Sequence, residues 1–348
     1  MARKRIAVLF GGCSTEHAVS LESAFAVLQA MDRQKHEPVA LGITEAGEWR
    51  LYSGDLMRIK DGSWQSTQEC APAIISPDRQ THGLLVLTAG QLQQMRIDAA
   101  LPMLHGRYGE DGTVQGLLEL AGIPVIGCGT LSSALCMDKH KAHQLASLAG
   151  VTVPRSQLLT RQVSAAEAAV MAQGLGYPLF VKPVRSGSSI GLSKVTGASQ
   201  LPAAIELAFS HDQQVLLEEN IEGFEVGCAV LGDEQLIIGE LDEVDLNGAD
   251  FDFTEKYTLT TAAIYVPARI PAEQAAAIKQ VAITIYRALG CSGFARVDMF
   301  LQPDGGIVMN EVNTIPGFTD HSRFPSMMRA IGLSLGQVID IAIEATVS

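Results

Sequence analysis

The most informative pattern in this chain is Arg296-Val297-Asp298, followed after a turn by Asn310-Glu311-Val312-Asn313. Apolar segments flank Asp304-Gly305 between them, and Asp-Gly supplies the positive φ that tight hairpin turns need. If the turn is symmetric about Asp304-Gly305, Asp298 faces Glu311 and Arg296 faces Asn313. Residues two apart on a strand share a face, so these four polar side chains are predicted to lie on one side of a β-hairpin.

Asp298 and Glu311 would then place two carboxylates directly opposite each other. Like charges in that position repel unless a cation lies between them. Oxygen atoms of Asp, Glu and Asn are the natural ligands of a hard divalent cation. The hairpin therefore predicts a magnesium site formed by Asp298, Glu311 and Asn313, and magnesium held by a few carboxylates is typical of nucleotide phosphate sites. The alternative is a solvated polar edge.

Composition sets the broad class. The chain has 348 residues, 47% hydrophobic and 18% charged, which favours a soluble enzyme of two or three domains. The excess of 38 acidic over 25 basic side chains gives a net charge of −13, which argues against nucleic acid as a partner. No apolar run is long enough for a membrane span, and residues 6–10 are too short for a signal peptide. The six cysteines form no C-x-x-C pair, so we expect free thiols and a cytoplasmic protein.

The N-terminal part alternates predicted strands with predicted helices. Residues 5–10, 39–43 and 98–104 are compact apolar strands, and a helix is expected over residues 16–31. This alternation is typical of a doubly wound parallel sheet, in which ligands bind beyond the carboxyl ends of the strands. The loops that begin at Gly11 and His105 occupy that position.

The middle of the chain contains a Ser/Gly-rich loop, residues 186–191, between two predicted antiparallel strands. Small residues let backbone N–H groups approach phosphate oxygens, and Lys139 and Lys182 would add positive charge there. Groups suited to a purine edge follow at Glu218, Glu219 and Ile221. The alternative for the loop is a flexible surface turn. Neither the P-loop nor the dinucleotide glycine motif occurs, which disfavours those two classes.

An acidic stretch, residues 242–257, shows little periodicity and ends in Glu255-Lys256-Tyr257. Long irregular segments inside enzymes are often lids, so we expect this one to close over a site.

Taken together, these segments resemble the D-alanine–D-alanine ligases of the ATP-grasp superfamily. The resemblance covers nearly the whole chain and rests on six motifs in the family's order: Leu9-Phe-Gly-Gly-Cys-Ser-Thr-Glu16, Leu104-His-Gly-Arg-Tyr-Gly-Glu-Asp-Gly-Thr113, Met137-Asp-Lys139, Lys182-Pro-Val-Arg-Ser-Gly-Ser-Ser189, Gly293-Phe-Ala-Arg-Val-Asp298 and Asn310-Glu-Val-Asn-Thr-Ile-Pro-Gly317. It implies a mixed α/β and α+β fold. A doubly wound domain (1–137) is followed by a two-part ATP-grasp fold, with a central subdomain (138–223) and a C-terminal subdomain (224–348) that carries the metal site and the lid.

The resemblance also implies the chemistry. The carboxylate of a first D-alanine attacks the γ-phosphate of ATP, and the amine of a second substrate then displaces phosphate from the resulting acyl phosphate. The dipeptide supplies peptidoglycan precursor synthesis. ATP, two Mg²⁺ ions (with Mn²⁺ as a substitute) and a homodimeric assembly are expected by the same resemblance.

Individual roles are carried over residue by residue. The metal ligands are Asp298, Glu311 and Asn313. The nucleotide contacts are Lys139, Lys182, Ser189, Glu218, Glu219, Ile221, Glu225 and Lys256. The catalytic set is Glu16, which holds the first ammonium, with Ser188 and Tyr257 closing the loop, and Arg296 and the Gly317 N–H facing the oxyanion. The substrate contacts are His105, Ser322 and Arg323.

Some roles have plain structural alternatives. Glu16 could simply be an acidic side chain that the helix dipole favours in the first turn of a helix. Tyr257 could be a packed anchor of its loop. Among functions, an ATP-grasp enzyme acting on another carboxylate–amine pair and a non-catalytic nucleotide-binding module are both disfavoured by the N-terminal motif and the complete phosphate and metal sets.

The second substrate stays open between D-alanine, placed first, and D-serine. The intact Lys256-Tyr257 pair disfavours D-lactate. Residues 251–257 and 321–325 resemble the D-alanine–D-serine ligases of vancomycin resistance, with an arginine where housekeeping enzymes often have an apolar residue. Arg323 would either donate to a serine hydroxyl or form a structural salt bridge.

Overall fold

The computed structural model describes residues 3–66, 68–245 and 263–347. Lys256 and Tyr257, with most of the predicted lid, lie outside the described residues. Within these ranges three β-sheets follow one another along the chain.

The first sheet contains seven strands: β1 (Lys4–Gly11), β2 (His36–Ile43), β3 (Trp49–Tyr52), β4 (Cys70–Ile75), β5 (Gly83–Thr88), β6 (Gln91–Arg96) and β7 (Ala99–Pro102). Their order is β6-β5-β4-β3-β2-β1-β7. β1 pairs in parallel with β2 and β7, which confirms the parallel sheet at its centre. The remaining strands form an antiparallel meander that was not predicted. β6 exposes nearly all its side chains, so it lacks the alternation that identifies a half-buried strand. Beyond β7, Val125 adds a single parallel bridge to Ala100.

Five helices accompany this sheet and lead out of it: α1 (His17–Ala30), α2 (Met57–Lys60), α3 (Thr113–Ala121), α4 (Thr130–Met137) and α5 (Lys139–Leu148). β1 turns into α1 through Gly11, which has a φ of +87° and passes so close to Ile43 that a Cβ would lie 2.1 Å from its carbonyl oxygen. Only glycine tolerates both conditions. Because β1 and β7 are parallel, the loops after them meet at one edge of the sheet.

The second sheet is antiparallel and contains β8 (Ser156–Thr160), β9 (Leu179–Pro183), β10 (Ser193–Val195) and β11 (Gln214–Glu219), in the order β10-β9-β11-β8. Its apolar face packs under α6 (Ala165–Leu175) and α7 (Leu201–His211). Lys182 pairs in register with Leu216, so Lys182 and Glu218 share the opposite face.

The third sheet contains β12 (Phe224–Leu231), β13 (Ile237–Asp245), β14 (Ala263–Tyr265), β15 (Phe294–Leu301) and β16 (Ile307–Asn313), in the order β14-β13-β12-β15-β16. One face packs on α5 and α8 (Ala272–Ala288). The other packs on α9 (Arg323–Ala330), and α10 (Leu335–Val347) returns to the core of the first sheet. No single helix in the described ranges is both long and apolar enough to cross a membrane, although the bent pair of α9 and α10 meets the length and composition test jointly.

The β15–β16 hairpin confirms the register predicted at its chemical end, since Asp298 pairs with Glu311 and Arg296 pairs with Asn313. Near the turn the symmetric register is wrong by one residue: it would place Gln302 opposite Ile307, but Leu301 pairs with Ile307. The turn therefore contains one residue more than a symmetric Asp-Gly turn allows. A bulge after Asp298 absorbs the difference and leaves Asn310 without a partner in the ladder.

Candidate active site

The site lies where the Ser/Gly loop, the start of α5 and the end of the hairpin meet the N-terminal loops. Lys139, Ser186, Glu311 and Asn313 line one cleft together with Glu110. Three segments far apart in sequence therefore contribute polar groups to one place.

The hairpin carboxylates are neutralised by side chains of the chain itself. The Arg296 guanidinium donates to both oxygens of Asp298, at 2.8 Å from Nε and 2.7 Å from Nη2, and the Asn313 amide lies 2.9 Å from the same carboxylate. Asp298 is only 1% exposed. Glu311 lies 3.6 Å from the Lys139 ammonium. These charge-assisted contacts account for how two facing acids coexist.

The donor chemistry of this set fits a hard cation. Asp298, Glu311 and Asn313 present oxygen-bearing side chains at neighbouring positions of two paired strands. Magnesium commonly takes one or two carboxylates and completes its shell with phosphate oxygens and water. Across the described ranges there is no cluster of three or more His, Cys, Asp or Glu arranged as a metal site. The predicted set is of a different kind, because it contains two acids and an amide.

Of the two predicted phosphate lysines, Lys139 lines the cleft and Lys182 lies on the neighbouring strand β9. The Lys139 ammonium donates to the Ser186 carbonyl at 2.6 Å, which ties the start of α5 to the Ser/Gly loop. The Lys182 ammonium lies 2.6 Å from Glu218, and both side chains are largely buried. A buried ammonium needs a partner of this kind, because a buried charge without one is costly.

His143 is a site residue that the sequence analysis missed. Its Nε2 lies 2.8 Å from the Asn310 carbonyl, and its Nδ1 lies 3.8 Å from Glu218. Burial lowers the pKa of His143. His143 follows Lys139 by four residues, so both lie on one face of the helix. This spacing was the sequence signal that could have identified His143 as a site residue. A side chain of α5 therefore contacts the backbone of the hairpin at its bulge.

Other predicted nucleotide contacts are occupied by neighbouring side chains. Glu219 pairs with Arg155 at 2.6 Å. Glu225 pairs with Arg323 at 2.5 Å and accepts from Asn310 at 3.3 Å. Ile221 lies in the segment between β11 and β12, and Ser189 lies in the Ser/Gly loop. Their contacts with a nucleotide stay predictions.

The Ser/Gly loop contacts the first N-terminal loop. The Ser188 hydroxyl donates to Glu16, and both Ser188 and Ser189 have positive φ, at 51° and 57°. Such conformations are uncommon for residues with a Cβ and are often found at functional sites. Glu16 is 8% exposed and its side chain does not cap α1, so its carboxylate faces the Ser/Gly loop rather than the helix. The structure therefore brings two members of the predicted catalytic set together.

The predicted substrate residues lie nearby. His105 is buried beside Ser23, with Nε2 3.0 Å from the Ser23 hydroxyl oxygen, and burial lowers the pKa of His105. A Cβ at Gly317 would lie 2.7 Å from the Ser322 hydroxyl, so the backbone passes close to that side chain. The Ser322 hydroxyl also accepts from the Thr319 N–H at 3.1 Å.

Arg323 forms a buried ion-pair network. Its guanidinium donates twice to Asp242, at 2.6 and 2.8 Å, and lies 3.4 Å from Asp298. Asp242 is fully buried; burial opposes its ionisation, yet Arg323 holds the pKa of this carboxyl below its ordinary value. Of the two alternatives for Arg323, the structure contains the salt bridge. Asp242 was missed because its partner is 81 residues away in the sequence.

Glu110, also missed, has a strongly altered acidity. Burial, with the like charge of Glu16 added to it, raises the pKa of Glu110 to about 8. The motif around His105 contains Glu110, but no pattern distinguishes it from an ordinary loop acid.

This raised pKa makes the stability of the protein depend on pH. Between the ordinary value of 4.5 and about 8 the folded state binds more protons at Glu110 than the unfolded state does. Stability from this group is therefore present below pH 4.5 and is lost as pH rises to about 8. From pH 6 to pH 8 we expect a loss of about 1 to 3 kcal/mol in the free energy of unfolding. Urea denaturation at both pH values measures it, and Glu110→Gln should show a smaller loss. An equal loss in both proteins would contradict the assignment.

The Ser/Gly loop, the lysines beside it and the hairpin carboxylates form the arrangement that the resemblance to ATP-grasp enzymes implies. Sequence models of the D-ala D-ala ligase N-terminus and C-terminus match residues 5–128 and 145–344. The chain is 45% identical over 352 residues to the vancomycin B-type resistance protein VanB of Enterococcus faecalis, with 100% of this chain and 99% of that protein covered.

Solved structures agree with this match. The VanG D-Ala:D-Ser ligase from Enterococcus faecalis superposes with a TM-score of 0.93 at 52% identity, covering 99% of this chain and 100% of that one. The D-alanine–D-alanine ligase from Coxiella burnetii superposes with a TM-score of 0.87 at 28% identity, covering 100% of this chain and 94% of that one. The chain belongs to the D-ala D-ala ligase family and is an ATP-using ligase.

Proposed function

We propose that the chain joins D-alanine to a second D-amino acid, with cleavage of ATP to ADP and phosphate. The observation that carries the proposal is the contact between Ser188 and Glu16. It joins the Ser/Gly loop, where phosphates would bind, to the N-terminal loop that would hold an amino acid ammonium. This contact would bring phosphate and amino acid to one cleft, as acyl phosphate formation requires.

The side chains suit phosphoryl transfer, which depends mainly on positioning and charge neutralisation. Lys139 and Lys182 would hold phosphate oxygens, and Glu16 would hold the ammonium of the first D-alanine. Asp298, Glu311 and Asn313 would hold Mg²⁺, two ions by family resemblance, which supplies charge neutralisation when bound. Arg296, now paired with Asp298, would donate to the oxyanion of the second step together with the Gly317 N–H.

The test of the ligase proposal is direct. The protein is incubated with ATP, Mg²⁺ and single D-amino acids, and phosphate release and dipeptide are measured together. We expect D-alanine to elicit both, with no release for L-alanine. ATP cleavage without a dipeptide in every mixture would refute the proposal.

D-Serine is the second candidate acceptor, after D-alanine. It is supported by the 52% identity to a D-Ala:D-Ser ligase. A pocket accepts an added hydroxyl selectively only if it offers that hydroxyl a partner. The discriminating measurement is competition between D-alanine and D-serine at equal concentration, in which the ratio of the two dipeptides gives the preference.

We also propose domain limits of 1–137, 138–223 and 224–348, and a homodimer in solution. Limited proteolysis checks the limits, and light scattering checks the assembly.

A further inference from the structure

The segment that carries the predicted oxyanion donor is supported by the N-terminal loops. Residues 314–318, here called the Gly317 segment, follow β16 and are mostly buried. Gly317 lies between Ile315 and Phe318, and the backbone N–H groups of both these neighbours donate to N-terminal side chains. The segment is therefore held on both sides of the donor.

Glu110 provides the first support. One oxygen of its carboxyl group accepts from the Ile315 N–H at 3.2 Å, and the other accepts from the Gly106 N–H at 2.8 Å. Gly106 directly follows His105, the residue predicted to lie near the first substrate. A single side chain thus links the backbone of the loop that begins at His105, here called the substrate loop, to the backbone of the Gly317 segment.

Ser23 provides the second support. Its hydroxyl oxygen accepts from the Phe318 N–H at 3.3 Å and lies 3.0 Å from His105 Nε2. Ser23 is fully buried in α1. Its hydroxyl therefore connects the far side of the Gly317 segment to the same substrate loop.

We propose that Glu110 and Ser23 are positioning residues that hold the Gly317 N–H in place for the acyl-transfer half of the reaction. This inference rests on the proposed function. In that half-reaction the acceptor amine forms a bond to the acyl carbon, and the carbonyl electron pair moves onto oxygen. The C–O bond to phosphate then breaks, phosphate leaves, and an amine proton passes to water. Only this half-reaction develops an oxyanion that the Gly317 N–H would meet.

The expected effect is selective. Removing an oxyanion donor outright costs about 10²- to 10³-fold in turnover, so misplacing one by loss of a support should cost about 10- to 100-fold. Formation of the acyl phosphate should be nearly unaffected, since phosphoryl transfer does not use this donor. A merely structural role would lower both half-reactions together.

The experiment measures both half-reactions in Glu110→Gln. Gln retains one carbonyl oxygen but replaces the other acceptor by an amide NH₂, so one of the two contacts is lost. Positional isotope exchange in ¹⁸O-labelled ATP with D-alanine reports reversible acyl phosphate formation, and dipeptide release reports the complete reaction. We expect dipeptide formation to fall about 10- to 100-fold while exchange stays within about threefold of wild type.

Glu119→Gln is the matched control, because Glu119 also accepts a backbone N–H, from Thr130 at 2.8 Å, but lies outside the site. It should leave both rates unchanged. Ser23→Ala removes the second support and should repeat the selective loss, and it decides the question alone if Glu110→Gln does not fold. Equal loss of both half-reactions, full activity, or failure of both variants to fold would overturn the inference. No exchange and no dipeptide from wild type would instead refute the proposed function.

Discussion

Replacing Asp298 by Asn is expected to lower turnover by about a thousandfold or more, which corresponds to ~4 kcal/mol of transition-state stabilisation. The substitution removes the negative charge of a predicted metal ligand. The same charge pairs with Arg296, which donates to both oxygens of Asp298. Phosphoryl transfer depends on neutralised phosphate charge, so this loss acts on the chemical step. Turnover is measured with ATP and D-alanine over a range of Mg²⁺ concentrations, and circular dichroism reports folding.

Asp304→Asn in the turn of the same hairpin is the matched control. Asp304 is exposed and accepts from the Gly306 N–H at 2.9 Å, a contact that Asn preserves. The control should keep wild-type turnover. Glu311→Gln should resemble Asp298→Asn. Wild-type rates for Asp298→Asn at saturating Mg²⁺ would contradict the metal assignment.

Replacing Arg323 by Leu is expected to destabilise the protein by about 3 to 5 kcal/mol, the usual range when one partner of a buried ion pair is removed. Asp242 is fully buried. Without Arg323, its hydrogen-bond donor in the described part of the chain would be the Gly227 N–H, at 2.8 Å. Urea denaturation gives the free energy of unfolding. If Arg323 also selects the acceptor, the ratio of D-alanyl-D-serine to D-alanyl-D-alanine should fall in the fraction that folds.

Arg329→Leu provides the comparison for this prediction. Arg329 lies on the same helix and is 3.6 Å from Asp320, but its side chain is 56% exposed. Exposed pairs contribute about 0 to 1 kcal/mol, so stability should change little. A similar small change for Arg323→Leu would show that the buried network contributes little to stability. An unchanged acceptor ratio would exclude Arg323 as the selector.

Much of the site was accessible from local patterns. That Asp298 lies opposite Glu311 follows from strand alternation and a recognisable turn. The bulge after Asp298 does not change this pairing. The parallel pairing of β1 with β2 and β7 follows from alternation of strands and helices. The antiparallel meander was missed because its edge strand β6 has almost no buried side chain to give a pattern.

Sequence patterns were sufficient to predict the family and the parallel centre of the first sheet, and they supplied the candidate oxygen and lysine side chains of the site. These depend on residue type and short-range spacing. Only the three-dimensional fold shows that Arg323 pairs with Asp242, that His143 contacts the Asn310 carbonyl, and that Glu110 accepts from the Gly317 segment. Each of these contacts joins residues from separate elements, and burial makes the pairing necessary, because a charged or polar group removed from water must find its partner wherever the fold brings one.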